Sequence, residues 1–268
     1  MTPAKEAGET RGSEQSRRSG GGLGCYVYGI VPHDVELTQY SRGIGDRDVG
    51  LVRHGQLAAL VSEIPLDEPI GEPEDLAAHQ RLLDAAAAAA PVLPIRFGAV
   101  LASAEDVAVE LLAANHDEFR AALNELDGRV EYLLKARYDE RAILEEIVAE
   151  NTAVARLREE IRGTAEEDAR DARMRLGELI NEAISAKRAA DTRSAIETLA
   201  RYAVASNERE PTHHEDAAHV AFLVETEKAG PFEEAAADLA RTWRGRADVR
   251  LLGPLAPYDF VVTVRGDG

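Results

Sequence analysis

The side chains with the widest chemical repertoire gather in one short run, EREPTHHEDAAH, which carries Glu210, His213, His214, Glu215, Asp216 and His219. Imidazole nitrogens and carboxylate oxygens bind zinc, and a metal held there would point to a metalloenzyme. Adjacent histidines project in different directions, however, and the run follows a helix-favouring segment, where a polar loop is expected. The reading is a solvated loop, with no metal site assigned. GIGDRDVG, from Gly43 to Gly50, looks superficially like a phosphate-cradling loop. It lacks the GxGxxG spacing and precedes strands instead of opening a helix, so the converging N–H donors are not supplied. Cys25 is the single cysteine and opens an apolar run, which reads as a buried structural thiol. No GxxxxGK[ST], HExxH or GxSxG occurs, and no nucleophile, base and orienting group come together. The expectation is a protein that is not an enzyme and carries no cofactor.

The remaining oddity is VLPIRFGAVL, residues 92 to 101, where one arginine stands among apolar residues. Read as a strand, it puts Leu93, Ile95, Phe97, Ala99 and Leu101 on one face and Arg96 on the other, beside a Gly98 that leaves room for a neighbour. A charged side chain is seldom buried without a partner, so Arg96 is expected to form a structural ion pair at a sheet margin or to anchor a partner.

Composition narrows the classes further. The chain has 268 residues, 45% hydrophobic and 30% charged, with a formal net charge of −18. That length suits two ordinary domains. Such acidity repels nucleic acid, and no stretch approaches the roughly 18 uncharged apolar residues of a membrane helix, so neither nucleic acid nor membrane is an expected partner. A lone cysteine fits a reducing compartment, with the cytoplasm as the default.

The elements that must position these residues read as follows. Residues 1 to 22 are polar, Gly/Ser/Arg-rich and without an apolar run, and read as a disordered tail. GCYVYGIV (24 to 31) reads as a central strand. A hairpin follows around His54-Gly55, then a helix from Glu72 to Ala90 with Leu76, His79, Gln80 and Leu83 at helical spacing, then the strand of residues 92 to 101. Residues 23 to 101 are thus a small α/β domain. Ser103 and Asp106 open a helix with a capping-box-like start, which Asn115 or His116 breaks in two. GRVEYLLKARY (128 to 138) alternates as a half-exposed strand. Residues 139 to about 206 favour helix throughout, with a hairpin bend near Gly163, exposed pairs such as Glu166 with Arg170, and an apolar stripe of Leu176, Leu179, Ile180 and Ile184 facing the sheet. A strand at 219 to 226, a helix from Pro231 and strands at 248 to 252 and 258 to 264 complete residues 102 to 268. The fold class is therefore α+β in two domains, the second ferredoxin-like with an elongated helical hairpin.

Tyr26-Val27-Tyr28-Gly29-Ile30-Val31, Pro94-Ile95-Arg96-Phe97-Gly98, Gly230-Pro231 and Gly253-Pro254-Leu255-Ala256-Pro257-Tyr258-Asp259-Phe260 occur in an order and spacing that resembles the gas vesicle protein F/L family (GvpF/GvpL) from about residue 25 to 265. Two departures stand out: Leu255 and Ala256 replace the family's usual Trp and Pro, and Ala99 a common Thr. The resemblance implies a non-catalytic accessory or minor structural protein of gas vesicles, located at the vesicle in the cytoplasm. It would bind the hydrophobic shell protein GvpA, with other accessory gas vesicle proteins as further partners, and assist nucleation or assembly. Arg96, Phe97, Gly98, Tyr258 and Phe260 are the candidates for partner contact. The competing reading of the residues is a non-catalytic ligand-sensing α/β module, because fold alone does not fix function.

Overall fold

The computed structural model describes residues 22–37, 42–163 and 169–261, so all but the last residue of the expected tail at residues 1 to 22, and Glu166, lie outside the described residues. The N-terminal sheet is built on β1 (Leu23–Pro32), an almost wholly buried strand. It pairs antiparallel with β3 (Leu57–Pro65), which forms the expected hairpin with β2 (Gly50–His54), and on its other side with β4 (Leu93–Pro94) and β5 (Val100–Leu101). The register against β3 shifts between Val27 and Gly29. Such a bulge moves later residues to the opposite face, so Cys25, Val27 and Ile30 share one core while Tyr26, Tyr28 and Val31 share the other. Helix α1 (Pro73–Ala87) covers the tyrosine face with Leu82 and Leu83.

The other face is covered by the helical segment that follows. Ser103 caps α2 (Ala104–Asp106) by accepting from the Asp106 N–H, the helix continues as a π-helical stretch Val107–Ala113, and α3 (His116–Leu126) resumes after the break at Asn115. Val107, Leu112, Phe119, Leu123 and Leu126 pack on Cys25, Val27 and Ile30. Residues 104 to 126, expected with the second domain, thus pack on the N-terminal sheet.

The second sheet runs β7 (Ala205–Glu208), β8 (Asp216–Glu225), β6 (Arg129–Tyr138), β9 (Ala247–Leu255), all antiparallel. With α4 (Glu140–Glu150), α5 (Thr152–Arg162), α6 (Arg170–Leu199) and α7 (Ala229–Thr242), this is the β-α-β-β-α-β order of a ferredoxin-like fold with its first helical crossover elongated. Asp139 caps α4, and Asn151 ends it and caps α5 by accepting from the Ala153 and Val154 N–H groups. That break was not foreseen, because Asn151 sits in otherwise unbroken helix formers. Among the described residues no helix is long and apolar enough to cross a membrane.

Several expectations need correction. The run from 92 to 101 is not one strand: a turn at Phe97–Gly98 separates β4 from β5, and Gly98 has φ +93° with nothing within 4 Å of where a Cβ would lie. Gly98 therefore serves backbone conformation and makes no room for a neighbour. Residues 205–208 form the edge strand β7 and not the end of a helix. Tyr258–Phe260 is a 3₁₀ turn where a strand was expected, and 262 to 264 lie outside the described residues. The buried residues of α6 are Thr192, Ala195 and Leu199, while the Leu176 to Ile184 stripe is only half-buried. The outer face of β6 is not simply charged and solvated, since Glu131 and Leu133 are buried there and only Lys135 and Arg137 are exposed.

Candidate partner-binding site at the domain junction

The junction is crossed by the segment 256–260, which leaves β9 and runs over α1. Gly253 makes the exit possible: at φ +147° an added Cβ would lie 2.5 Å from the Tyr132 ring and 3.0 Å from the Glu131 carbonyl oxygen. The Ala256 N–H donates to Asp84 Oδ1 of α1 at 2.9 Å, and Ala256 is buried with Tyr26, Tyr28 and Leu83. The Asp259 N–H donates to Glu131 Oε2 of β6 at 2.9 Å, while Asn207 of β7 donates to the Asp259 carbonyl at 3.3 Å. Arg209 stands 3.5 Å from Asp259 Oδ1.

Beneath this segment lies an aromatic cluster. The His79 ring centroid is 5.8 Å from that of Tyr26, 5.5 Å from those of Tyr28 and Phe97, and 6.5 Å from that of Tyr258. These are edge and tilted distances at which aromatic quadrupoles attract. Tyr26 Oη accepts from the Gly98 N–H at 3.3 Å and lies 2.8 Å from His79 Nδ1. The hydroxyl therefore donates to Nδ1, which assigns the ring proton to Nε2. That nitrogen is buried with no hydrogen-bond partner among the described residues. Burial accordingly lowers the His79 pKa to about 4, against a smaller opposing contribution from the Ile95 backbone. Tyr28 donates to Ser62 Oγ at 2.9 Å and accepts from the Ile44 N–H at 2.9 Å, and burial raises its pKa. The arrangement holds neutral rings in place and offers no nucleophile to a substrate.

The expected contact residues fall in three places. Arg96 is exposed on the turn and, among the described residues, has no ion-pair or hydrogen-bond partner, so the structural ion pair foreseen for it is not formed. Phe97 is half-buried and Tyr258 is 39% exposed, both beside His79, with Gly98 bonded to Tyr26 between them. Phe260 departs from this group and packs into the core on the opposite face of the N-terminal sheet. Asp84, Glu131 and Asp259 were not foreseen. Asp84 sits before a run of alanines and Glu131 in a strand with other charges, so only knowledge of the junction reveals them.

Two other polar clusters are structural. Asp216 accepts from the N–H groups of Thr212 and His213 and from the Thr212 hydroxyl, closing the histidine-rich loop upon itself. Burial opposes its charge, but these bonds, with His213 first, hold its carboxyl below the usual range. His213 and His214 are exposed, His219 Nδ1 lies 3.3 Å from the Glu210 carbonyl, and no metal-holding group of three such side chains occurs among the described residues. The second cluster ties the helices to the sheet. Arg246 bonds Glu146 Oε2 at 2.6 Å and Asp191 Oδ2 at 2.8 Å, Asp191 also receives the Tyr138 hydroxyl, and Lys187 bridges Glu146 and Glu150. Cys25 is a buried thiol whose pKa burial pushes up.

Residues 24–262 match the family described as gas vesicle synthesis protein GvpL/GvpF. The chain is 35% identical over 248 residues to "Gas vesicle protein F" of Streptomyces sp. (strain CB03234), covering 89% of this chain and all of that one. It is 34% identical over 123 residues to "Gas vesicle protein L" of the same strain, covering 41% of this chain and 46% of that one. The crystal structure of GvpF from Anabaena sp. PCC7120 superposes with a TM-score of 0.74 at 23% identity, covering 88% of this chain and 96% of the other. That of GvpF from Microcystis aeruginosa gives 0.73 at 21%, covering 88% and 98%.

Proposed function

The chain belongs to the GvpL/GvpF family of gas vesicle proteins, and from that membership we propose that it is an accessory or minor structural protein which binds the hydrophobic shell protein GvpA and assists vesicle nucleation or assembly. The likeness to gas vesicle protein F along nearly the whole of both chains carries this reading. The protein acts without catalysis, at the gas vesicle in the cytoplasm, with other accessory gas vesicle proteins as further partners. Its acidity suits a binder of an aggregation-prone subunit, because self-repulsion keeps such complexes dispersed. The docking face centres on Arg96, Phe97 and Tyr258. An arginine without a carboxylate of its own, next to half-exposed aromatic rings, has the composition that dominates binding energy at interfaces.

Co-expression with GvpA followed by pull-down tests both parts. Capture of GvpA by the wild-type protein supports the function, and no capture overturns it. Arg96→Ala should cost under about 0.5 kcal/mol of stability, since the side chain is exposed, yet reduce capture. Arg96→Lys should recover little of it, because an ammonium cannot reproduce a planar bidentate contact. Full capture by Arg96→Ala would move the docking face elsewhere.

A further inference from the structure

We propose that Glu131 carries a proton and donates it to the Asp259 carboxylate, and that this bond is a pH-sensitive latch holding segment 256–260 across the domain junction. Glu131 is 2% exposed, on the face of β6 it shares with Leu223 of β8, which packs in the core with Val27 and Ile30 of β1. Its Oε2 receives the Asp259 N–H at 2.9 Å, which brings the Asp259 side chain up to the buried Glu131 carboxyl. Two ionised carboxylates there would face each other without a donor between them. Asp259 Oδ2 is buried and has no hydrogen-bond partner among the described residues. A proton on Glu131 supplies the donor that a buried oxygen requires and removes the like-charge repulsion.

The surroundings do not offer another solution. Of the charged groups facing the pair, Arg209 is the cation, 3.5 Å from Asp259 Oδ1 with its side chain 43% exposed. From α1 comes Asp84, which adds negative charge near Tyr258; Tyr258 and Tyr26 are neutral phenols, and His79, with a pKa lowered to about 4, is a neutral imidazole. On the flanking strands Glu131 lies opposite Leu223 and Leu255. Burial above all, then the Asp259 side chain and its charge, push the Glu131 pKa up to about 8, against the Asp259 N–H and Arg209.

The direction follows from linkage. A carboxyl whose pKa is about 8 when latched and near the ordinary 4.5 when released holds its proton only in the latched state between those values. The latch is strongest below about pH 4.5, weakens about tenfold per pH unit, and levels off above about pH 8. Release carries Tyr258 away from His79, so the same proton sets the shape of the docking face; that consequence rests on the function proposed above, whereas the latch is tested without a partner.

The experiment is hydrogen exchange of the full chain, read on the peptide spanning 256–261 and corrected for intrinsic rates, at about pH 5.5 and about pH 8.5. Protection of this segment should fall by something on the order of a hundredfold in the wild type, with peptides of β8 changing far less. Glu131→Gln, whose amide donates at every pH, should vary less than about fivefold, and Asp259→Asn, which removes the accepting carboxylate but leaves Glu131 buried, should give a profile less steep than the wild type. Wild-type protection equal at both pH values, or a Glu131→Gln profile as steep as the wild type, overturns the latch. Should Glu131→Gln fail to fold, Asp259→Asn decides: a profile as steep as the wild type in that variant also overturns it.

Discussion

Replacing His79 with leucine isolates the energetics of the aromatic cluster. The imidazole is 1% exposed, receives the Tyr26 hydroxyl at 2.8 Å and leaves Nε2 without a partner. Near neutral pH two changes oppose each other: the Tyr26 hydroxyl loses its acceptor, at about 1–3 kcal/mol, while the cost of burying a polar imidazole is relieved, a gain of similar size. His79→Leu should therefore lie within about 1 kcal/mol of the wild type at about pH 7.5. Acid separates them. With a pKa of about 4 folded against 6.5 unfolded, the wild-type unfolded state binds a proton that the folded state refuses, so stability contributed by a neutral His79 is present above pH 6.5 and lost as pH falls towards 4. At about pH 4.5 that loss amounts to about 2.5 kcal/mol, which the leucine variant does not suffer. Urea unfolding of both proteins at a series of pH values measures the gap, and shared groups such as Glu131 cancel in the difference. A gap that stays constant from about pH 7.5 to 4.5 would show that His79 is free to protonate in the folded protein and would refute the burial argument.

Other outcomes follow from the same structure. Arg246→Met should cost about 2–4 kcal/mol near neutral pH, because Glu146 and Asp191, with side chains 24% and 15% exposed, lose their cation. Hydrogen bonding to Arg246 first, and then Lys187, holds the Glu146 carboxyl low, so its contribution is present above the ordinary 4.5 and disappears in acid; the deficit should shrink below about pH 4, as urea titration would record. Ala195→Asp should cost several kcal/mol by burying an unpaired charge against the sheet, whereas Arg170→Ala should stay under about 0.5, and equal losses would mean α6 is rotated from its described face. Gly98→Ala should cost about 1–3 kcal/mol for its positive φ alone, and Gly253→Ala more because a clash with the Tyr132 ring is added; thermal melts showing the reverse order would contradict the described path of segment 253–260.

Much of this architecture can be read from the chain because long apolar runs leave few options. GCYVYGIV is too continuously apolar for anything but a strand covered on both faces, and HVAFLVET behaves likewise. The caps at Ser103 and Asp139 follow from local side-chain chemistry. The failures arise where tertiary contacts decide. Residues 205–208, ASNE, are an exposed edge strand with no apolar period to announce them, recruited by pairing with β8. Read as one strand, residues 92 to 101 put Arg96 at a sheet margin in want of a partner; the turn at Phe97–Gly98 leaves it in solvent. Glu131 is the converse case, a residue in a polar register that is buried where the segment after β9 lies over it. Tyr26, Phe97, Tyr258 and Asp259 stand in the sequence motifs, but the fastening roles of Asp84, Glu131 and Asp259 are not legible there, since they depend on partners far away in the chain.

The bulged strand β1 imposes an order on how the molecule can be made. Because both of its faces are core, one is closed by residues up to Leu126 and the other receives Ala256, while Phe260 reaches back to the first. A nascent chain on the ribosome presents β1 early and must synthesise through the second domain before these late pieces arrive. Until then tyrosine and valine side chains of β1 remain partly uncovered, a condition that slows folding and exposes a chain to aggregation. The core around β1 is thus completed only by residues from the far end of the chain, Ala256 on one face and Phe260 on the other.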